Sequence, residues 1–323
     1  MREPAAALPE VMCGVVLLGH GGTDRLVYRD DIPLPLVGDD DVLIEVTAAG
    51  VNNTDLNTRI GWYSKEVLSG TAATSEEGAA APADGAWSGI PLAFPLIQGA
   101  DCCGRIVRVG AGVAASRIGE RVLVRPMMRP PASSPLPYWT LGSECDGAFA
   151  EYVVVPACEA YRVESDWSDV ELASLPCAYS TAENLLHRAA VVADERVLVT
   201  GASGGVGSAA VQLAKRRGAD PAVVLGSESV EMVVDVVGGW GWPALIEVLR
   251  NGGTLYLRDL TLLGCTVQEP VVFENLVGYV ERGEIVPVVA RTYPLREIVR
   301  AQEDFQRKSL TGKLVLVVAS EEG

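Results

Sequence analysis

Apolar and polar positions alternate along the first half of the chain with the period of two that strands require. Val11 to Leu18 is apolar, a polar His20-Gly21-Gly22 turn follows, and DVLIEVTAAGV from Asp41 to Val51 is rich in β-branched residues. Short strands punctuated by Gly and Asp continue through GRIVRVGAG (Gly104 to Gly112), ERVLV (Glu120 to Val124) and FAEYVVVP (Phe149 to Pro156). This texture predicts a small antiparallel barrel. Two stretches break the pattern. Ser64 to Gly89, rich in Ala, Gly, Ser and acids, reads as an exposed loop, either inert or a flap over an active site, and Arg125 to Trp139 is a Pro-rich connector.

After Trp167 the period lengthens. A helix start is predicted at Ser168, with acids in its first turn, and a second helix is entered through Ser180 and Thr181. RVLVTGASGGVGSAAVQLAKRRGA then reads as a buried strand (Arg196 to Thr200), a glycine turn, and an Ala-rich helix from near Gly205 to Gly218. Strand, glycine turn and helix in that order open a dinucleotide-binding unit. Ala202, Gly204 and Gly207 take the three spacing positions, with Ala in place of the first Gly. Gly204 lets the backbone approach a pyrophosphate, Gly207 lets the helix pack closely, and the helix N-terminus points its N–H groups at the anion. The usual next test, an acid about 20 positions on at the tip of the second strand to hold a ribose hydroxyl, fails here. Asp220 comes too early and reads as a turn residue, and the chain passes straight to a strand at Met232 to Val237 with a turn at Gly238-Gly239. The second strand, its helix and the third strand are nearly absent, so this unit reads as incomplete.

Composition narrows the function. With 323 residues and 49% hydrophobic content there is material for two cores, and overall disorder is excluded. Only 6% of residues are aromatic while Gly reaches 34, as in closely packed α/β layers. Lys and Arg number 26 against 42 Asp and Glu, a net charge of -16, which argues against a nucleic-acid or anionic-membrane partner. The seven Cys form no CxxC pair, so neither a disulfide scaffold nor a zinc ribbon is indicated. Cys102 and Cys103 are adjacent in an apolar stretch and read as buried thiols on alternating faces. Without a signal-peptide core or a membrane-length apolar run, the expectation is a cytoplasmic protein in a reducing compartment. His20 and His187, the only histidines, read as structural.

Jointly, AAGVNNTDLNTRIGWY (Ala48 to Tyr63), QGADCCGRIVRVGAGV (Gln98 to Val113), GERVLV, DGAFAEYVVVP, LPCAYSTAENLL, the glycine turn, VVDVVGG and TGKLVLVV resemble the medium-chain dehydrogenase/reductase superfamily, specifically its zinc-independent quinone oxidoreductase branch. The resemblance runs from about residue 13 to 318. It implies an α/β protein with a GroES-like antiparallel β-barrel catalytic domain (1–165 and 290–323) and a doubly wound Rossmann dinucleotide-binding domain (166–289). It places Asn52 and Tyr63, with Asp55 nearby, beside the nicotinamide and a substrate carbonyl. Thr181, Thr200, Gly201, Ala202, Ser203, Gly204, Gly205, Val206 and Lys313 would border the cofactor. Asp55 and Arg59 also have the spacing of a helical i,i+4 salt bridge.

In the zinc-dependent branch a Cys stands where this chain has Asn52, and a His where it has Ala100. Only Cys177 matches a ligand position, too little for a three-ligand catalytic zinc, so no metal is expected and Cys177 reads as a buried or cofactor-flanking thiol. The implied activity is hydride delivery from NADPH to an activated C=C bond or a quinone, on a small-molecule substrate, by a homodimer paired through an edge strand at Leu260 to Val267. An alcohol dehydrogenase-like carbonyl reductase and a non-catalytic nucleotide-binding protein are the alternatives. Shortfalls at about 219–226 and 253–255 leave two readings open: mobile segments of the whole protein are missing from this stretch, or a degenerate member binds no nucleotide. An intact mass near 34.1 kDa supports the second, and one several kDa higher the first.

Overall fold

A computed structural model describes residues 8–64, 85, 89, 91–130, 138–222, 229–238, 242–249 and 261–318. In chain order its elements are β1 (Val11–Leu17), β2 (Leu26–Pro33), β3 (Asp41–Val51), α1 (Asn53–Ile60), β4 (Leu96–Ile97), β5 (Cys103–Val109), β6 (Arg121–Val124), β7 (Met127–Met128), β8 (Trp139–Thr140), β9 (Tyr152–Pro156) and β10 (Ala160–Arg162). There follow α2 (Asp169–Leu172), α3 (Pro176–Arg188), β11 (Arg196–Val199), α4 (Gly205–Arg216), β12 (Asp220–Ala222), β13 (Met232–Val234), α5 (Trp242–Glu247), α6 (Pro270–Glu281), β14 (Val289–Pro294), α7 (Ile298–Gln306) and β15 (Lys313–Val317).

β3 is the spine of the barrel. It pairs antiparallel with β5, β9 and β15 in one seven-stranded sheet, while β1 joins β2 and β4 in a smaller one. β15 lies between β3 and β14, with Leu314 opposite Val51, and its pairing with β14 is parallel because α7 carries the crossover. The second unit is a parallel sheet in the order β12-β11-β13, with α4 following β11. Two apolar clusters result. Val42, Ile44, Ile106, Phe149 and Leu316 belong to the first; Leu175, Ala182, Val197, Leu213, Phe273 and Leu276 belong to the second. Adjacent Cys102 and Cys103 enter different clusters, as side-chain alternation along a strand demands, and burial pushes both thiols up.

Ser168 caps α2 with Glu171 answering in a capping box. The start of α3 differs from expectation. Pro176 opens it, its fixed φ being suited to a first helical position, so Ser180 and Thr181 lie inside and bond back to the Cys177 carbonyl. Asp220 is a strand residue opposite Arg196, because parallel pairing with β11 satisfies its backbone, and a short second strand therefore exists. Residues 261–267 of the expected edge strand have no strand structure, and Leu260 lies outside the described residues. Residues 65–84 of the expected flap, 131–137 of the Pro-rich connector, and 223–226 and 253–255 of the shortfalls also lie outside them. Among the described residues, no helix is long and apolar enough to cross a membrane.

Candidate active site

The two units meet at a buried carboxylate. Asp101 follows β4, is fully buried, and accepts from three separate elements. The Cys177 N–H at the start of α3 donates to its Oδ1 at 2.6 Å; Asn52 Nδ2 and Lys313 Nζ, the latter from β15, each donate to its Oδ2 at 2.8 Å. Lys313 also donates to Asn52 Oδ1. Glycines make the crowding possible. A Cβ on Gly50 would strike Asp101 Oδ2 and lie 2.7 Å from the Ala173 carbonyl, and one on Gly205 would sit 3.3 Å from both Ala178 Cβ and Lys313 Cδ. Lys313 thus runs from the mouth of the glycine turn to the head of α1.

Asp55 holds the start of α1, accepting from the Asn52 N–H at 2.7 Å and the Ala100 N–H at 3.3 Å. Gln98 Nε2 secures its carbonyl at 2.7 Å. Burial, aided by the charge of Asp101, pushes its carboxyl up to about 7 against the pull of the Asn52 N–H. Burial and Asp101 also push the Cys177 thiol up, so it is a neutral group and not a ready nucleophile.

Three expectations change here. Both Asn52 amide hydrogens are committed, to Asp101 and to the Gly50 carbonyl at 3.3 Å, so this amide braces the junction and is not presented to a carbonyl. Tyr63 follows the opposite end of α1, an eight-residue helix about 12 Å long, and packs edge-on against Trp62. Asp55 and Arg59 form no salt bridge. Asp55 is occupied at the helix start, whereas Arg59 is buried and donates to Gln302 Oε1 on α7 and to the Gly21 carbonyl.

The glycine turn is open. Residues 201–204 are exposed, Gly201 takes the left-handed conformation at φ 63°, and no side chain caps the N-terminus of α4. A Cβ on Gly207 would collide with the Gly201 carbonyl, which is why the third glycine is required. Gly204, Gly205 and Val206 begin α4, with Ala202 and Ser203 exposed before it. Thr200 serves the turn indirectly. Its hydroxyl donates to Asp235 Oδ1 at 2.6 Å and accepts from the Val236 N–H, buckling the ends of β11 and β13 together. Burial works to raise the Asp235 carboxyl, but Thr200 and the N–H groups of Val237 and Gly238 hold it below its usual range. An open cradle at an uncapped helix start fits a dinucleotide pyrophosphate.

A catalytic zinc does not fit the junction. An amide, Ala100 and a single thiol fall short of the three protein ligands a catalytic zinc requires, and the Lys313 ammonium already serves Asp101 and Asn52. Among the described residues, no group of three or more His, Cys, Asp or Glu is placed to hold a metal ion.

The alcohol dehydrogenase GroES-like domain family matches residues 38–165. A solved Sinorhizobium meliloti structure named for an alcohol dehydrogenase is 37% identical, covers 97% of this chain and 98% of its own, and superposes with a TM-score of 0.83. The chain belongs to the medium-chain dehydrogenase/reductase superfamily. Human quinone oxidoreductase is 26% identical over 366 residues, covering 96% of this chain and 98% of the human one. An NAD-dependent alcohol dehydrogenase of Sulfurisphaera tokodaii is 25% identical over 350 residues, covering 89% and 95%. The human alignment is longer than this whole chain, so that relative carries residues with no counterpart here.

Within this superfamily of nicotinamide-dependent oxidoreductases the chain is quinone oxidoreductase-like. Its barrel is the GroES-like part, and the parallel sheet with its helices is the Rossmann-type part. Sequence reasoning placed Lys313 near the cofactor but missed Asp101 as the hub. The signal was present: an acid inside the apolar run LIQGADCCG needs buried donors. Arg125 was missed too. It is buried against Glu159, donating at 2.6 and 2.8 Å, and reaches the Gln268 carbonyl at 3.0 Å.

Proposed function

We propose that this chain is an NADPH-dependent, zinc-independent reductase that delivers hydride to an activated C=C bond or a quinone. The observation that carries this reading is the Asn52–Asp101–Lys313 junction beside an open glycine turn: a cofactor cradle adjoins a site whose cation is an ammonium. Gly201 to Val206 and the α4 N-terminus would hold the pyrophosphate, with Thr181 and Lys313 nearer the reactive end. When bound, the cofactor supplies the hydride. Lys313 places positive potential where an enolate or hydroquinone oxygen would develop charge, and Asp55, poised near neutrality, can hold a proton behind Asn52. In this reading the hydride donor is NADPH, and Asp220, opposite Arg196 at the start of β12 and at the end of the sheet away from the glycine turn, is not a ribose ligand.

The remaining parts of the reading are a barrel domain of 1–165 and 290–323, a nucleotide domain of 166–289, a small-molecule substrate, a cytoplasmic location and a homodimer. Fluorescence titration with NADPH and NADH, without substrate, tests the cofactor. Selective NADPH binding followed by chelator-resistant turnover of enones or quinones is the expected result. Binding of neither nucleotide would overturn the reading. The Sinorhizobium relative favours a second one, a carbonyl reductase, which loss of turnover in 1,10-phenanthroline and its recovery with zinc would support.

A further inference from the structure

The flank of the barrel holds a cavity of about 510 Å³, enclosed by the end of β2, the start of β3, β8 and β9. Its floor is the first apolar cluster, represented by Ile97 and Val155. Two half-buried aromatic rings, Trp139 and Tyr152, stand in its walls. Leu36, in the connector from β2 to β3, lies at its lip and is 94% exposed, more than any other large apolar residue among those described. Apolar and aromatic walls with an uncovered leucine at the mouth are the make-up of a small-molecule site.

Charge says which molecule fits. Among the described residues that line the cavity, the charged ones are two carboxylates, Asp41 and Asp146, and no Lys, Arg or His joins them. Asp146 Oδ1 accepts from the Ile97 N–H at 2.8 Å, and among the described residues no cation pairs with this carboxylate. Loss of solvent pushes its carboxyl up against the pull of that N–H. An anion here would meet like charge, and a wholly apolar guest would leave Asp146 further from water and still uncompensated. The cavity is also separate from the Asp101 junction. Ile97 lines it, but the next residue, Gln98, reaches away to the Asp55 carbonyl, and Asp41 stands at the far end of the eleven-residue β3, roughly 30 Å along the strand from Asn52. We propose that this cavity is a second ligand site, distinct from the candidate active site, for a small aromatic amine in its ammonium form, with the ring against Trp139 and Tyr152 and the ammonium on Asp146.

The test titrates 2-phenylethylammonium and two probes of similar shape, neutral 2-phenylethanol and anionic 3-phenylpropanoate, into the whole chain by calorimetry near neutral pH. The ammonium is expected to bind roughly tenfold more tightly than the alcohol, and the carboxylate more weakly still. Asp146→Asn keeps an oxygen for the Ile97 N–H and is expected to bring the ammonium down to the level of the alcohol. Equal wild-type affinities for ammonium and carboxylate would overturn the inference, as would no measurable binding of any probe. A preference that survives in Asp146→Asn would put the ligand elsewhere on this acidic chain and overturn it too. So would a dilution heat of the protein alone that Leu36→Asp abolishes, because a second copy would then occupy the cavity. The wild-type comparison needs no variant to fold, and none of these outcomes depends on nucleotide binding.

Discussion

The barrel and the nucleotide sheet differ in how much of themselves they supply. β3 alone, with eleven residues, pairs with three other strands, and the first apolar cluster is built wholly from the barrel, its loops and the α7 return. Among the described residues the parallel sheet has one four-residue strand flanked by two of three residues. Its cluster is completed by Ala48, Cys103, Leu123 and Val315, all barrel residues presenting their other face. The nucleotide unit is built on the outside of the barrel, and the Asp101 junction is the polar seam of that attachment.

The largest effect is expected at that seam. Asp101→Leu leaves the Lys313 ammonium buried without its carboxylate and should cost about 3–5 kcal/mol in urea unfolding, with Asp101→Leu/Lys313→Met recovering much of it. A loss below about 1 kcal/mol would mean that the two units are held together elsewhere. Next, hydrogen exchange of β11, β12 and β13 should open a few kcal/mol below that of β3, β5 and β15; equal protection would erase the difference between the regions.

Asp55 gives a pH test. Its folded pKa, about 7, lies above the ordinary 3.8, so its contribution is fully present below 3.8 and is lost as pH rises through 7. The unfolding free energy from urea titrations should therefore fall across that window by up to about 1.4 kcal/mol per pH unit, and Asp55→Asn should flatten the slope. The smallest effect is at Thr200. Thr200→Val removes the buckle to Asp235 and should cost about 1 kcal/mol while loosening nucleotide affinity in the same titration.

What could be read from the sequence was local. β3 spans Asp41–Val51 as its alternation predicts, Ser168 caps α2, and the glycine turn opens α4 at Gly205, because each signal lies within a few residues of what it specifies. The polar partners of the site were not legible. Lys313 meets Asp101 across 212 positions and Arg59 meets Gln302 across 243, and neither leaves a period or a spacing. Where a local rule conflicted with such a distant partner, the distant one prevailed: Arg59 abandoned the i,i+4 geometry for α7. Asp220 was misread for the converse reason, since a three-residue strand has too few positions to show alternation.

The place of β15 has a consequence for how the chain is born. It inserts between β3 and β14 in the middle of the barrel sheet, yet β3 leaves the ribosome long before it. Until Lys313 and its strand emerge, β3 has an unfilled edge and Asp101 has no ammonium, while the helices of the nucleotide unit can already gather. Contacts this distant in sequence slow folding. During synthesis the barrel therefore waits as a cask with one stave missing, and β15 on its arrival closes the wall and gives Asp101 its ammonium in a single step.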